Sequence, residues 1–175
     1  MTSDPQAKGR IALGYAAFIK KRWGKEGYEK CQKDVKIDFA SLKDEMWYPN
    51  SLPTNLLIWI EKNYGIDYCR QAGFSVVADR GVITYAARIA GVKKVLERGV
   101  DEFRESFKDG GVSVELGDKR AVLSISDINI SPCSCQAWIG AFQGILHITK
   151  AKGTVKEIAC EHKGAKACQY EITWS

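Results

Sequence analysis

The sequence predicts an α+β fold: a helical N-terminal part, about residues 8–109, then an antiparallel four-stranded sheet interrupted by one helix (ββαββ), about residues 110–175. Two observations predict it. Apolar residues recur at helical spacing through the first two-thirds and change to alternation at Val112. After the first alternating pair comes one more helical stretch, and then two further strand-like stretches close the chain.

Taken in order, Ile11, Tyr15, Phe18 and Ile19 form a helical stripe with Lys and Arg between them, and Gly24 ends it. A second short helix is expected over about 25–33. Trp47-Tyr48-Pro49 reads as extended, because the residue before a proline avoids the helical region. Ser51 is a candidate cap for a helix with Pro53 in its first turn and Leu56, Leu57, Trp59 and Ile60 along it, ended by Gly65. Residues 67–73 and 82–89 read as further helices. Residues 92–107 follow, with Val95, Leu96, Val100, Phe103 and Phe107 on one stripe, stopped by Asp109-Gly110-Gly111. Val112, Val114 and Leu116 alternate as a strand, Gly117-Asp118 marks a turn, and Ala121, Leu123 and Ile125 share a face of the next strand. A helix over about 136–149 places Trp138, Phe142, Ile145 and Thr149 together. Strands over about 154–161 and 167–174 turn through Gly164.

At 175 residues the chain suits one domain with its own core. Hydrophobic residues make up 45% and charged residues 27%, the balance of a globular protein. No apolar run approaches the roughly 18 residues of a membrane helix, and the polar first ten residues lack the apolar segment of a secretion signal. The expectation is a cytoplasmic chain without membrane contact. The net charge of +5 is spread along the sequence. Lys20, Lys21, Arg22 and Lys25 read as a solvated helix face, so direct nucleic-acid binding is not expected.

The cysteines are more informative. Cys31 and Cys69 stand alone and read as small buried hydrophobes. Cys133, Cys135, Cys160 and Cys168 crowd into the last quarter. In a reducing compartment such a group reads as metal ligands or redox groups before disulfides. Folding the last hairpin about Gly164 sets Cys160 opposite Cys168, with Cβ atoms about 4.5–5.5 Å apart. A closed tetrahedral zinc site needs two more ligands. Cys135, or Cys133 in its place, supplies one from the start of the helix, and Glu157 or His162 supplies the other. Glu157 and Cys160 are three apart and so point to opposite faces of a regular strand. The site therefore requires a bulge or an early strand end near Ala159. Two packed thiols, or a cross-strand disulfide, are the simpler readings of Cys160 and Cys168.

The stretch VKEIACEHKGAKACQYEITW, residues 155–174, resembles the 4-vinyl reductase domain through Glu157, Cys160, Gly164, Cys168, Tyr170 and Ile172, joined by Cys135, Gly140 and Gly144 on the preceding helix. That domain is similar to the sensor domains of phenol-responsive transcription activators. The resemblance implies a structural zinc on Cys135, Glu157, Cys160 and Cys168 beside an apolar pocket. It implies a fold shared with haem-based nitric oxide sensors and vesicle-tethering (TRAPP) subunits, and a homodimer. His147 and His162, the two histidines, both fall in the C-terminal part, where neither matches the sensors' proximal histidine, so the resemblance sets haem aside.

For the pocket, Trp138 and Phe142 are the leading candidates, with Gly140 and Gly144 leaving room beside them. Tyr85, Phe103 and Trp47 are further candidates, and His147 is a candidate polar contact. No Ser-His-Asp set, phosphate loop or dinucleotide fingerprint is present, so no catalytic residue is named and the reading leans away from an enzyme. The leading function is a sensor or carrier for an apolar, aromatic or hydrocarbon ligand. One alternative is a reductase or hydrolase for an apolar or tetrapyrrole-like substrate, with Glu157 as base at an open metal. The other is a non-catalytic assembly module.

Overall fold

The computed structural model describes residues 4–79, 81–128 and 131–175, without the side chains of 81–85. Helix α1 (Gly9–Val35) joins the first two expected helices through a kink at Gly24, whose φ of 69° suits a residue without Cβ. Helix α2 (Ser51–Tyr64) ends at Gly65 (φ 103°), α3 spans Asp67–Ala78, and α4 (Gly81–Ser106) kinks at Gly91 (φ 77°). Strands β4 (Gly111–Leu116) and β5 (Arg120–Ser126) are followed by α5 (Pro132–Ile148), then β6 (Gly153–Ala159) and β7 (Cys168–Trp174). The four strands form an antiparallel sheet in the order β4-β5-β7-β6.

Three differences from the sequence reading have physical causes. A small sheet of β1 (Gln6–Lys8), β2 (Trp47–Pro49) and β3 (Phe107–Lys108), in the order β2-β1-β3, was not expected. Its strands are two or three residues long, too short to show a period. Ser51 is the first helical residue and not a cap: its hydroxyl donates to Asp4 at 2.6 Å. Asn50, just before it, is buried and donates its amide to the Ile128 carbonyl at 2.7 Å. Helix α5 starts at Pro132, four residues before the expected start, because proline suits the first helical position, where no N–H is needed. Cys133 and Cys135 thereby join its first turn.

Two cores meet at α5. The first packs α1, α2 and α3 around Ile19, Leu56, Ile60 and Ala72, with Trp23 stacked on Tyr64 at 3.8 Å. The second packs α4 and α5 onto the sheet around Leu96, Phe103, Ile125, Phe142, Tyr170 and Ile172. Helix α5 sends Cys133 and Ala137 into the first core, and Cys135, Ile139, Phe142 and Ile145 into the second. It touches α3 backbone to backbone. A Cβ at Gly73 would overlap the Ala137 carbonyl, and one at Gly140 would overlap the Arg70 carbonyl.

Gly73→Ala or Gly140→Ala is therefore expected to cost about 3 kcal/mol, the upper range for overpacking, because backbone has to move. Gly99→Ala in α4 meets nothing within 4 Å and is expected to stabilise by about 0.5–1 kcal/mol. Urea unfolding midpoints of the three variants check this. Equal effects at Gly73 and Gly99 would contradict the contact.

Candidate metal centre

The last hairpin and α5 build the site. In β6 the register slips by one residue: Glu157 pairs with Tyr170, but Ala159 pairs with Gln169. Ile158 is the extra residue and is pushed outward, 49% exposed. The slip turns Cys160 to the same side as Glu157. A short 3-10 turn (Glu161–Lys163) and Gly164, at φ 90°, reverse the chain and bring Cys168 back beside Cys160. Cys135 reaches down from the first turn of α5, where the helix N-terminus favours a thiolate.

Cys135 Sγ lies 3.6 Å from Cys168 Sγ and 3.8 Å from Cys160 Sγ, and Cys160 and Cys168 are 3.9 Å apart. All three thiols are buried. A Glu157 carboxylate oxygen and the three sulfurs all lie within 4.8 Å of one another. Sulfurs on a tetrahedral ion with bonds of about 2.3 Å stand about 3.8 Å apart, so the triangle already has the edge lengths of a metal-bound one. Glu157 accepts from Lys163 Nζ at 3.2 Å through Oε2, while its Oε1 is buried with no hydrogen-bond partner.

Burial, then the neighbouring Cys168 sulfur, pushes the Cys135 thiol up, and burial also raises Cys168. Without a cation both stay neutral at neutral pH. Cys168 receives the Glu161 backbone N–H at 3.3 Å. The Tyr170 hydroxyl is buried beside Cys135 and Cys168 without a partner of good geometry, and burial above all raises its phenol.

The structure brings Cys135, Glu157, Cys160 and Cys168 together. Cys133, two residues from Cys135 and so about 200° round the helix, faces the other core and meets Glu61. His162 is exposed in the turn. Phe103, Trp138 and Phe142 form one aromatic group with Phe107 and Tyr170, ring centroids 4.9–6.0 Å apart. Trp47 is exposed on β2 under the Lys8 ammonium, and His147 is exposed against Phe74. The Tyr85 side chain lies outside the described residues. A cleft of about 720 Å³ between α1 and α3 is lined by Arg10, Lys21, Asp44, Ser75 and Asp79, none of them an expected pocket residue. The sequence reading missed Tyr170 as a site residue. Its signal was the alternation that places it on the same face of β7 as Cys168.

No family model and no curated protein matches the chain. Solved structures do. The chain is similar to an H-NOX protein from S. oneidensis in the Fe(II)NO ligation state (16% identity, 96% of this chain and 99% of that one, TM-score 0.68). It is similar to an oxygen-binding H-NOX domain related to soluble guanylate cyclases in its oxygen complex (11%, 96% and 95%, TM-score 0.73). It is also similar to the IWP-051-bound H-NOX from Shewanella woodyi in the Fe(II)CO state (13%, 95% and 94%, TM-score 0.68). At these identities the likeness shows the fold: an α+β nitric-oxide-sensor type.

Two expectations are corrected. The resemblance to the 4-vinyl reductase domain does not hold, because the structures that match over nearly the whole chain are H-NOX proteins. The residues that suggested it, in the last hairpin and at Cys135, Gly140 and Gly144 within about 112–174, record a local cysteine arrangement and not the architecture. The cofactor reading, zinc with haem set aside, falls with it. The matching structures carry Fe(II) ligation states, and one addresses heme distortion in the H-NOX family, so it is haem and not zinc that the neighbours of this fold carry. In this chain both imidazoles are exposed, and the space between α4, α5 and the sheet holds the aromatic group. These side chains do not fit an imidazole-ligated haem.

The lone Tyr170 hydroxyl gives a test of the site's polarity. Tyr170→Phe is expected to leave the metal-free protein unchanged or stabilised by about 1 kcal/mol, since a buried hydroxyl without a partner costs about that. A clear loss of stability in chelator-treated protein would show that the hydroxyl already has a partner.

Proposed function

We propose that this chain is a small-molecule-binding sensor domain in which a four-coordinate, thiophilic metal ion on Cys135, Glu157, Cys160 and Cys168 ties the C-terminal hairpin to α5. The observation that carries this reading is the thiol triangle with edges of 3.6–3.9 Å, beside a buried carboxylate oxygen that lacks a partner. Four protein ligands would leave the ion no open position for water. It would supply the charge that lets buried thiolates form. Glu157 then orients Lys163 with its other oxygen, and Tyr170 donates its hydroxyl toward the Cys135 sulfur.

The aromatic group next to Tyr170 is the proposed surface for ligand contact. Phe103, Phe107, Trp138 and Phe142 offer apolar and aromatic faces, and Trp138 is partly exposed, which gives a ligand a way in. The H-NOX likeness supports a small ligand in a sensor, and the lining supports an apolar one. No helix of the described residues is long and apolar enough to cross a membrane.

Metal analysis with a free-thiol count on purified protein tests the reading. About one ion per chain is expected, bound in a form that protects three thiols and is lost in Cys168→Ala together with stability. Three reactive thiols with no ion, or haem iron as the sole metal, would sink it. Acidification has a definite sign. Burial raises the Cys135 and Cys168 thiols, so the ion-free fold keeps their protons through neutral pH and binding releases them. Affinity should therefore fall about tenfold per displaced proton for each pH unit downward, as read by chelator competition at two pH values. A pH-independent affinity would contradict thiolate ligation.

A further inference from the structure

The donor set of the metal centre reaches water through its carboxylate. Cys135, Cys160 and Cys168 are all buried, whereas the Glu157 side chain is 13% exposed. Beside it stands Lys163, the last residue of the short turn, whose ammonium lies 3.2 Å from Glu157 Oε2 on a side chain that is 77% exposed. The ammonium takes one oxygen of the carboxylate and leaves the other, Oε1, buried and without a hydrogen-bond partner. The bulge at Ile158 and the reversal after Cys160 make this contact: the first turns Glu157 to the side of Cys160, and the second carries Lys163 back to it.

Charge gives the contact its consequence. A divalent ion on three thiolates and one carboxylate forms a cluster with a net charge of about −2. Burying net charge is costly unless an opposite charge stands by it. Glu161 does not supply that charge: its Oε2 lies 3.7 Å from the Cys168 sulfur, its Oε1 accepts the Asp127 N–H at 3.1 Å, and it is a second carboxylate. Among the described residues, Lys163 is the cation paired with the donor set.

We propose that Lys163 is a positioning residue that governs exchange of the ion. It holds Glu157 by Oε2, which leaves Oε1 for the ion. It supplies the positive charge that the cluster lacks, and it closes the side on which the site opens to water. The proposal rests on the metal reading above and adds to it the residue that sets how long the ion stays. Two consequences separate this role from a merely structural one. An ion pair with so exposed a lysine contributes little to folding, so the ion-free fold is indifferent to Lys163. A cation at the mouth of the site also repels an incoming cation, so its loss speeds release without slowing entry.

The test adds Co2+ to ion-free full-length protein, follows the thiolate-to-cobalt absorption, and times release into excess chelator by stopped flow. Lys163→Met is expected to bind about 10- to 100-fold more weakly, the usual effect of losing a partner that orients a ligand. It is expected to release the ion faster by at least that factor, to take it up no more slowly than wild type, and to unfold at the wild-type temperature when ion-free. Lys163→Arg keeps the charge and is expected to restore wild-type affinity and release. Unchanged release in Lys163→Met, equal losses in the two variants, or a matching fall in ion-free unfolding temperature would overturn the proposal and leave the metal reading standing. Wild-type protein that gives no thiolate-to-cobalt absorption would overturn the metal reading itself, and this role of Lys163 with it.

Discussion

The backbone contact between α3 and α5 is the constraint on which the rest of this structure hangs. Side chains are absent at Gly73 and Gly140, so the two helices meet through carbonyls and Cα atoms, with no layer of side chains between them. That contact fixes the rotation of α5 about its own axis. Once the rotation is set, the two cysteines of its first turn part company: Cys133 must enter the helical core and Cys135 must enter the sheet core. Interiors packed at crystal-like density transmit such a constraint and do not absorb it.

The sheet side obeys a second, local constraint. A regular β6 would send Glu157 and Cys160 to opposite faces, and the one-residue slip at Ile158 cancels that. The bulge leaves Ile158 in solvent, an apolar side chain given up so that two polar ones converge. The turn after it is short and left-handed at Gly164, so Cys168 returns opposite Cys160 with little freedom. Three buried thiols and a carboxylate oxygen are then gathered within 4.8 Å of one another, and one oxygen of that carboxylate lacks a hydrogen-bond partner.

Much of this was legible in the sequence because it is local. The change of period at Val112, the turn at Gly164 and the arithmetic of Glu157 and Cys160 depend only on neighbours, and they led to the strands, the hairpin and the need for a bulge. What was not legible depends on distant contacts. The β2-β1-β3 sheet joins segments far apart in the chain through strands of two or three residues. The partnership of Glu61 with Cys133 joins α2 to α5 across 72 residues of chain. Trp47 carries the same apolar signal as Trp138, yet one is exposed under Lys8 and the other lies in the aromatic group. Only the tertiary fold separates them. The same limit explains the mistaken family resemblance: a hairpin can recur in many architectures, and its residues do not encode the helices around it.

The kink at Gly91 gives α4 a different mechanical character from its neighbours. Helices α3 and α5 are locked flank to flank and behave as one beam, whereas α4 is two shorter rods joined at a residue with φ 77° and open space around it. Its C-terminal rod carries Leu96 and Phe103 against the aromatic group. Side-chain rearrangement within this core therefore falls on the compliant member and leaves the stiff one in place.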